Sequence, residues 1–155
     1  MDRHQVAAWV AAYERAWRRP GTEALAEIFT PDATYLLGPY EEPVVGLPAI
    51  ERMWEDGRDG PDEVFAMTSE TTAVDGNTAV VRVEVRYGEP VQQEYRDLWV
   101  MRFADDGRCE WFEEWPFWPG KPYTARTPAT ERGYVVSGRR RLGSGTAPRR
   151  YRPRS

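Results

Sequence analysis

In the run Thr78–Tyr87, the residues Ala79, Val81, Val83, Val85 and Tyr87 alternate with Val80, Arg82, Glu84 and Arg86. A period of two puts every second side chain on one side of an extended chain, so this segment predicts a strand with one buried and one charged face. Asp75-Gly76-Asn77 joins it to an earlier extended run over 64–74, and that tripeptide between apolar runs is a hairpin signal. Gln93–Phe103 and 108–118 repeat the arrangement across Ala104-Asp105-Asp106-Gly107. Strands joined by such short links can pair only antiparallel, and their apolar face needs a second layer to cover it.

The first third of the chain supplies that layer. Over Arg3–Arg18 the apolar set Val6, Trp9, Val10, Tyr13, Ala16 and Trp17 recurs at three- and four-residue spacing, the stripe of an amphipathic helix that Pro20-Gly21 ends. Thr22 reads as the N-cap of a second, short helix through Leu25, Ile28 and Phe29, stopped by Pro31. A short strand over 33–37 follows, and Pro48 opens a third helix over 49–56 that presents Ile50, Met53 and Trp54. This order predicts an α+β fold: a curved antiparallel sheet with three N-terminal helices packed on one face, forming a conical pocket.

Charge divides the chain. Residues 1–120 hold 11 Arg and Lys against 24 Asp and Glu, a balance of −13, and all seven tryptophans; residues 121–155 hold 10 against 1. The first segment is expected to be the folded domain, and 121–155, rich in Arg, Gly and Pro, a flexible basic tail. No apolar run reaches the roughly 18 residues of a membrane span, and no secretory leader is recognisable, so a cytoplasmic location is expected. The single Cys109 cannot form an internal disulfide. With no glycine-rich phosphate loop, nucleophile elbow or clustered metal ligands, neither cofactor nor metal is expected.

The last two strands carry the sharpest chemistry. Alternation places Tyr95, Asp97, Trp99, Met101 and Phe103 on one face of the first, and Cys109, Trp111, Glu113, Trp115 and Phe117 on one face of the second. Pairing Phe103 with Cys109 sets Trp99 opposite Glu113, with Asp97 diagonal to it. Two carboxylates then share an aromatic environment, which suits acid or base work. A register slip of one residue would put Glu114 on the inner face in place of Glu113. Tyr13, Trp17, Tyr35 and Trp54 bring further rings to the same space, which can be read as a ligand site or as a core.

The element order, the segment Phe29-Thr30-Pro31-Asp32-Ala33-Thr34 and the segment Gly46-Leu47-Pro48-Ala49-Ile50 resemble the SnoaL-like and ketosteroid-isomerase-like members of the nuclear transport factor 2-like superfamily over about residues 3–118. The resemblance implies a pocket between sheet and helices that serves many unrelated reactions. Against the ketosteroid isomerase pattern, Tyr13 falls on the oxyanion-holding tyrosine. Leu37 falls where the general-base aspartate belongs and Trp99 where a second, protonated acid belongs, so isomerisation of steroids by that route is not expected.

The resemblance implies a small, apolar, oxygenated ligand of polyketide, steroid or terpenoid type. Asp97, Glu113 and Tyr13 are then the catalytic candidates for cofactor-free isomerisation, cyclisation or dehydration. Trp17, Tyr35, Leu37, Trp54, Tyr95, Trp99, Met101, Trp111 and Trp115 are the candidate ligand contacts. A ligand carrier or association module is the alternative. Relatives of this kind commonly pair through the outer sheet face, which implies a homodimer. Nucleic-acid binding through Arg139-Arg140-Arg141 and Arg149-Arg150-Tyr151-Arg152 ranks third, because the acidic domain repels a polyanion.

Overall fold

A computed structural model describes residues 1–60 and 62–120. Helix α1 (Arg3–Arg18) buries Val6, Trp9, Val10, Tyr13, Ala16 and Trp17, the six residues of the predicted stripe. Asp2 caps it: its carboxylate accepts from the Gln5 backbone N–H at 2.8 Å, and the Gln5 side chain accepts from the Asp2 backbone N–H at 2.9 Å. This reciprocal pair satisfies two of the donors that a helix start leaves open.

Helix α2 (Leu25–Ile28) is one turn. Thr22 contributes its carbonyl to Leu25 N–H at 2.9 Å, and the N-cap is Ala24, with no side-chain bond. Strand β1 (Phe29–Leu36) starts directly after it, four residues before the expected start, and runs through Pro31. The strand tolerates a proline because its pairing register is interrupted between Phe29 and Thr34, where a missing N–H costs no ladder bond. After the two-residue β2 (Val44–Val45), α3 (Leu47–Gly57) opens at Gly46, whose φ of +87° suits glycine and whose N–H donates to Ala33 O at 2.8 Å.

Strands β3 (Phe65–Asp75), β4 (Thr78–Tyr87), β5 (Gln93–Phe103) and β6 (Cys109–Phe117) follow as the alternation predicts. The six strands form one curved, unclosed sheet in the order β2-β1-β6-β5-β4-β3. The four long strands pair antiparallel as expected, and one pairing departs from the antiparallel sheet. Strand β1 lies parallel to β6, because the chain crosses back from α3 through the far edge before it returns to the middle. The helices cover one face, and the core there runs from Val6 and Trp9 through Phe29 and Ile50 to Val81, Val83 and Phe103.

Two bulges shape the ends of the sheet. In β3, Thr72 is the extra residue between Thr71 and Ala73, and the Arg3 guanidinium reaches from α1 to the carbonyls of Thr71 and Thr72. In β6, Phe103 pairs with Cys109 as expected, but Arg102 pairs with Trp111, so Glu110 is extra. Its carboxylate turns to Arg102 Nε at 2.5 Å. From Trp111 onward every side chain of β6 is therefore inverted relative to an unbroken ladder. The basic tail, and any nucleic-acid arm on it, lies outside the described residues.

Candidate active site

The inverted register decides which carboxylates meet. Trp99 pairs with Glu114, Met101 with Phe112 and Asp97 with Pro116 on the helix-covered face. Glu114 is 3% exposed and Asp97 7% exposed, so two carboxylates share that face on diagonal positions. Glu113, Trp111 and Trp115, expected on the inner face, stand on the outer one. There Glu113 accepts from Trp115 Nε1 at 2.8 Å and from Trp111 Nε1 at 3.5 Å, and Arg102 lies over the Trp111 ring.

Glu114 is held by two tyrosines. Tyr35 on β1 donates its hydroxyl to Glu114 Oε1 in a short hydrogen bond. Tyr13 on α1 lies 2.8 Å from the Tyr35 hydroxyl and 3.4 Å from the same carboxylate oxygen. Since Tyr35 spends its proton on Glu114, the 2.8 Å contact is one in which Tyr13 donates and Tyr35 accepts. The result is a directed chain, Tyr13 to Tyr35 to Glu114, in which each bond polarises the next. Leaving such a carboxylate unbonded in an apolar interior would cost several kcal/mol, on the order of 2–7 even for a neutral polar group.

Rings pack around these oxygens. The Tyr13 centroid lies 4.7 Å from Trp99, 4.9 Å from Trp54 and 5.5 Å from Phe112, and Phe112 lies 4.6 Å from Tyr35. Among the described residues, the rings at the level of the hydroxyls pack directly against one another. Trp17, Trp54, Tyr95, Trp99 and Met101 are all buried on this side, and Leu37, just past β1, packs against the core from its partly buried position. Beside these rings, the buried Trp99 Nε1 has no hydrogen-bond acceptor among the described residues.

Sequence reasoning placed Tyr13 and Asp97 on the correct face and raised Glu114 only as the product of a slipped register. It treated Tyr35 as a ring, not as the donor that positions a carboxylate. Among the described residues, no group of three or more His, Cys, Asp or Glu side chains is placed to hold a metal ion, and no helix is long and apolar enough to cross a membrane.

Residues 9–111 match the family described as SnoaL-like domain. Among solved structures, a proposed polyketide cyclase from Sinorhizobium meliloti is similar at 26% identity and a TM-score of 0.54, over 69% of this chain and 93% of that one. A steroid delta-isomerase from Pseudomonas aeruginosa is similar at 24% identity and 0.53, over 73% and 80%. A proposed SnoaL-like polyketide cyclase from Jannaschia sp. CCS1 is similar at 16% and 0.57, over 75% and 90%. No curated protein matches the chain.

Proposed function

The chain belongs to the SnoaL-like family, and from that premise we propose that it binds a small, apolar, oxygenated molecule and moves a proton on it without a cofactor. The observation that carries this reading is the Tyr13–Tyr35–Glu114 chain inside a wall of aromatic rings. Glu114 takes the acid-base role first assigned to Glu113, and Asp97 stands as the second carboxylate on the same face. Polyketide cyclase and steroid isomerase are the descriptions of similar proteins, and both reactions need a proton removed next to a carbonyl whose oxygen gains charge.

The residues divide that work chemically. When a ligand enters, the Tyr13 hydroxyl turns its one proton from Tyr35 to the ligand oxygen that gains charge, and the otherwise unanswered Trp99 N–H, with its ring 4.7 Å from that of Tyr13, offers a second donor. Glu114 accepts or returns the proton at its carboxylate oxygen while Tyr35 holds it in place. A ligand must part the Tyr13, Trp54 and Trp99 ring contacts to reach these groups, so binding is coupled to a rearrangement. The test is a titration of tryptophan emission with a set of fused-ring phenols and enones. Saturable change that Tyr13→Phe and Glu114→Gln each weaken supports the reading; absence of any change across the set defeats it.

The outer face supports a homodimer as a second element. Leu98 pairs with Trp115, and these apolar side chains stay 40% and 41% exposed. Further along the same face, Arg96, Arg86, Glu84 and Glu94 form ion pairs that a two-fold partner could exchange. Sedimentation at high micromolar concentration gives twice the chain mass if this holds and the chain mass if it does not.

A further inference from the structure

A cavity of about 170 Å³ lies where the C-terminal ends of α1 and α3 meet, lined by Trp17, Arg18, Arg19, Pro20, Gly21, Glu55, Arg58, Gly60 and Glu63. A single water needs only about 10–15 Å³ by the same kind of measure, so the space holds an acid group with several carbons attached. Residues 1–120 carry 11 arginines and a balance of −13, yet three of those arginines line this one cavity. Against two lining carboxylates, Glu55 and Glu63, the cations are in excess by one, in a domain whose balance is strongly acidic.

Arg58 forms its floor and is spent unevenly. Its side chain is 7% exposed, Nη1 donates to Gly21 O at 2.8 Å and to Glu55 Oε1 at 3.1 Å, and Nη2 donates to Ala16 O at 2.9 Å. The buried Nε–H has no acceptor among the described residues. The guanidinium also lies 5.3 Å from the Trp17 ring centroid and 5.8 Å from that of Trp54. Arg18 is committed to Glu14 at 2.6 Å and to Phe65 O at 3.0 Å. Arg19 forms no ion pair among the described residues. One buried N–H and one unpaired guanidinium thus remain for an acceptor that the chain does not supply. An aromatic path leads inward from them: Trp17 to Trp54 at 5.0 Å, then Trp54 to Tyr13 at 4.9 Å.

We propose that this cavity is a carboxylate subsite at the entrance to the interior, so that the ligand is an apolar acid. Its carboxylate pairs with Arg19 and, once the Trp17 ring shifts to uncover the buried Arg58 Nε–H, accepts from that donor too, while its apolar body lies along Trp17 and Trp54 toward Tyr13. The proposal rests on the ligand-binding reading given above and adds the acidic end to it. Of the two carboxylates in the lining, Glu55 is held by Arg58, and Glu63 is the anion beside which the ligand must bind.

The test uses the full chain with 4-phenylbutyrate, its methyl ester and 4-phenylbutanol, each measured by calorimetry at low and moderate salt. The acid should bind about tenfold tighter than the ester, as a charge-assisted hydrogen bond would give, and its advantage should shrink with salt. Arg58 ties three backbone and side-chain acceptors and its loss could unfold the chain, so Arg19→Gln carries the mutational arm. It should weaken the acid several-fold and leave the ester unchanged. The Arg58 Nε–H nuclear resonance should move with the acid and stay with the ester. Equal binding of acid and ester, with Arg19→Gln silent, overturns the subsite while leaving the ligand reading intact. Binding by none of the three overturns the subsite and counts against the ligand reading too.

Discussion

Trp99 faces Glu114 directly across β5 and β6, a pairing that exists because Glu110 is looped out of the ladder four residues earlier in the same strand. Deleting Glu110 should slide β6 by one residue, sending Phe112 and Glu114 to solvent and Glu113 to the interior. Loss of the native near-ultraviolet circular dichroism, or of cooperative unfolding, is the expected result. Glu110→Ala should be mild by comparison, since it removes only a partly exposed ion pair with Arg102 worth about 0–1 kcal/mol. If deletion and substitution are equally mild, the bulge does not set the register.

Glu114 also anchors two hydroxyls in the interior. Glu114→Ala leaves the Tyr35 donor without its acceptor, at a cost of about 1–3 kcal/mol, which corresponds to a melting temperature lower by roughly 5–10 °C. Glu114→Gln keeps an acceptor oxygen and should lose less. A melt in which Ala and Gln fall together would show that the hydrogen bond contributes nothing.

The Cys109 thiol reports on alkaline stability. Burial pushes its proton affinity well up, so the folded chain keeps the proton where the unfolded chain, with a thiol near 8.5, releases it. The sign follows: the stabilisation is complete below about pH 8.5 and declines above it, by about 1.4 kcal/mol per pH unit. Urea midpoints measured from pH 7 to 10 should fall for the native chain and flatten for Cys109→Ala. Thiol reagents should react at pH 9 only after denaturant is added.

At the other end of the pH scale, the backbone N–H of Gln5 holds the Asp2 carboxyl below its usual range. This cap therefore stabilises α1 above the ordinary aspartate range, and the effect is lost as pH falls through the lowered folded value. Asp2→Asn retains an acceptor but no charge, so its unfolding midpoint should vary less between pH 5 and 2 than that of the native chain. Identical acid limbs would remove the cap from the acid response.

Leu98→Glu tests the outer face. It places a charge at the centre of the Leu98 and Trp115 contact without touching the interior, and should convert a dimer to monomers while leaving the melt of the monomer unit unchanged. An unaltered sedimentation coefficient would mean that this face is not an interface.

The strands of this fold could be read from residues because a period of two survives in Thr78–Tyr87 and Gln93–Phe103, and α1 because six apolar residues keep one stripe. The site failed at β6 for a specific reason. Its sequence, Cys-Glu-Trp-Phe-Glu-Glu-Trp-Pro-Phe, has aromatics and glutamates in both alternate sets, so pattern alone cannot say which set faces inward. Only the three-dimensional constraint of fitting Phe112 against Tyr13 chooses. Arg58 was missed because in sequence it is one charge beyond a helix end; its partners Ala16 and Gly21 are some forty residues away.

The two arginines near the ends of α1 do more than join helix to sheet. Strand β3 is the outermost of the long strands and runs eleven residues, the kind of open border on which chains stack into aggregates. Arg3 occupies the carbonyls of Thr71 and Thr72, and Arg18 that of Phe65. A foreign strand approaching this border finds those backbone oxygens already taken by bulky cations and the Thr72 kink breaking its flat template. One helix thereby obstructs self-stacking at two places on the strand it crosses, its start and its kink.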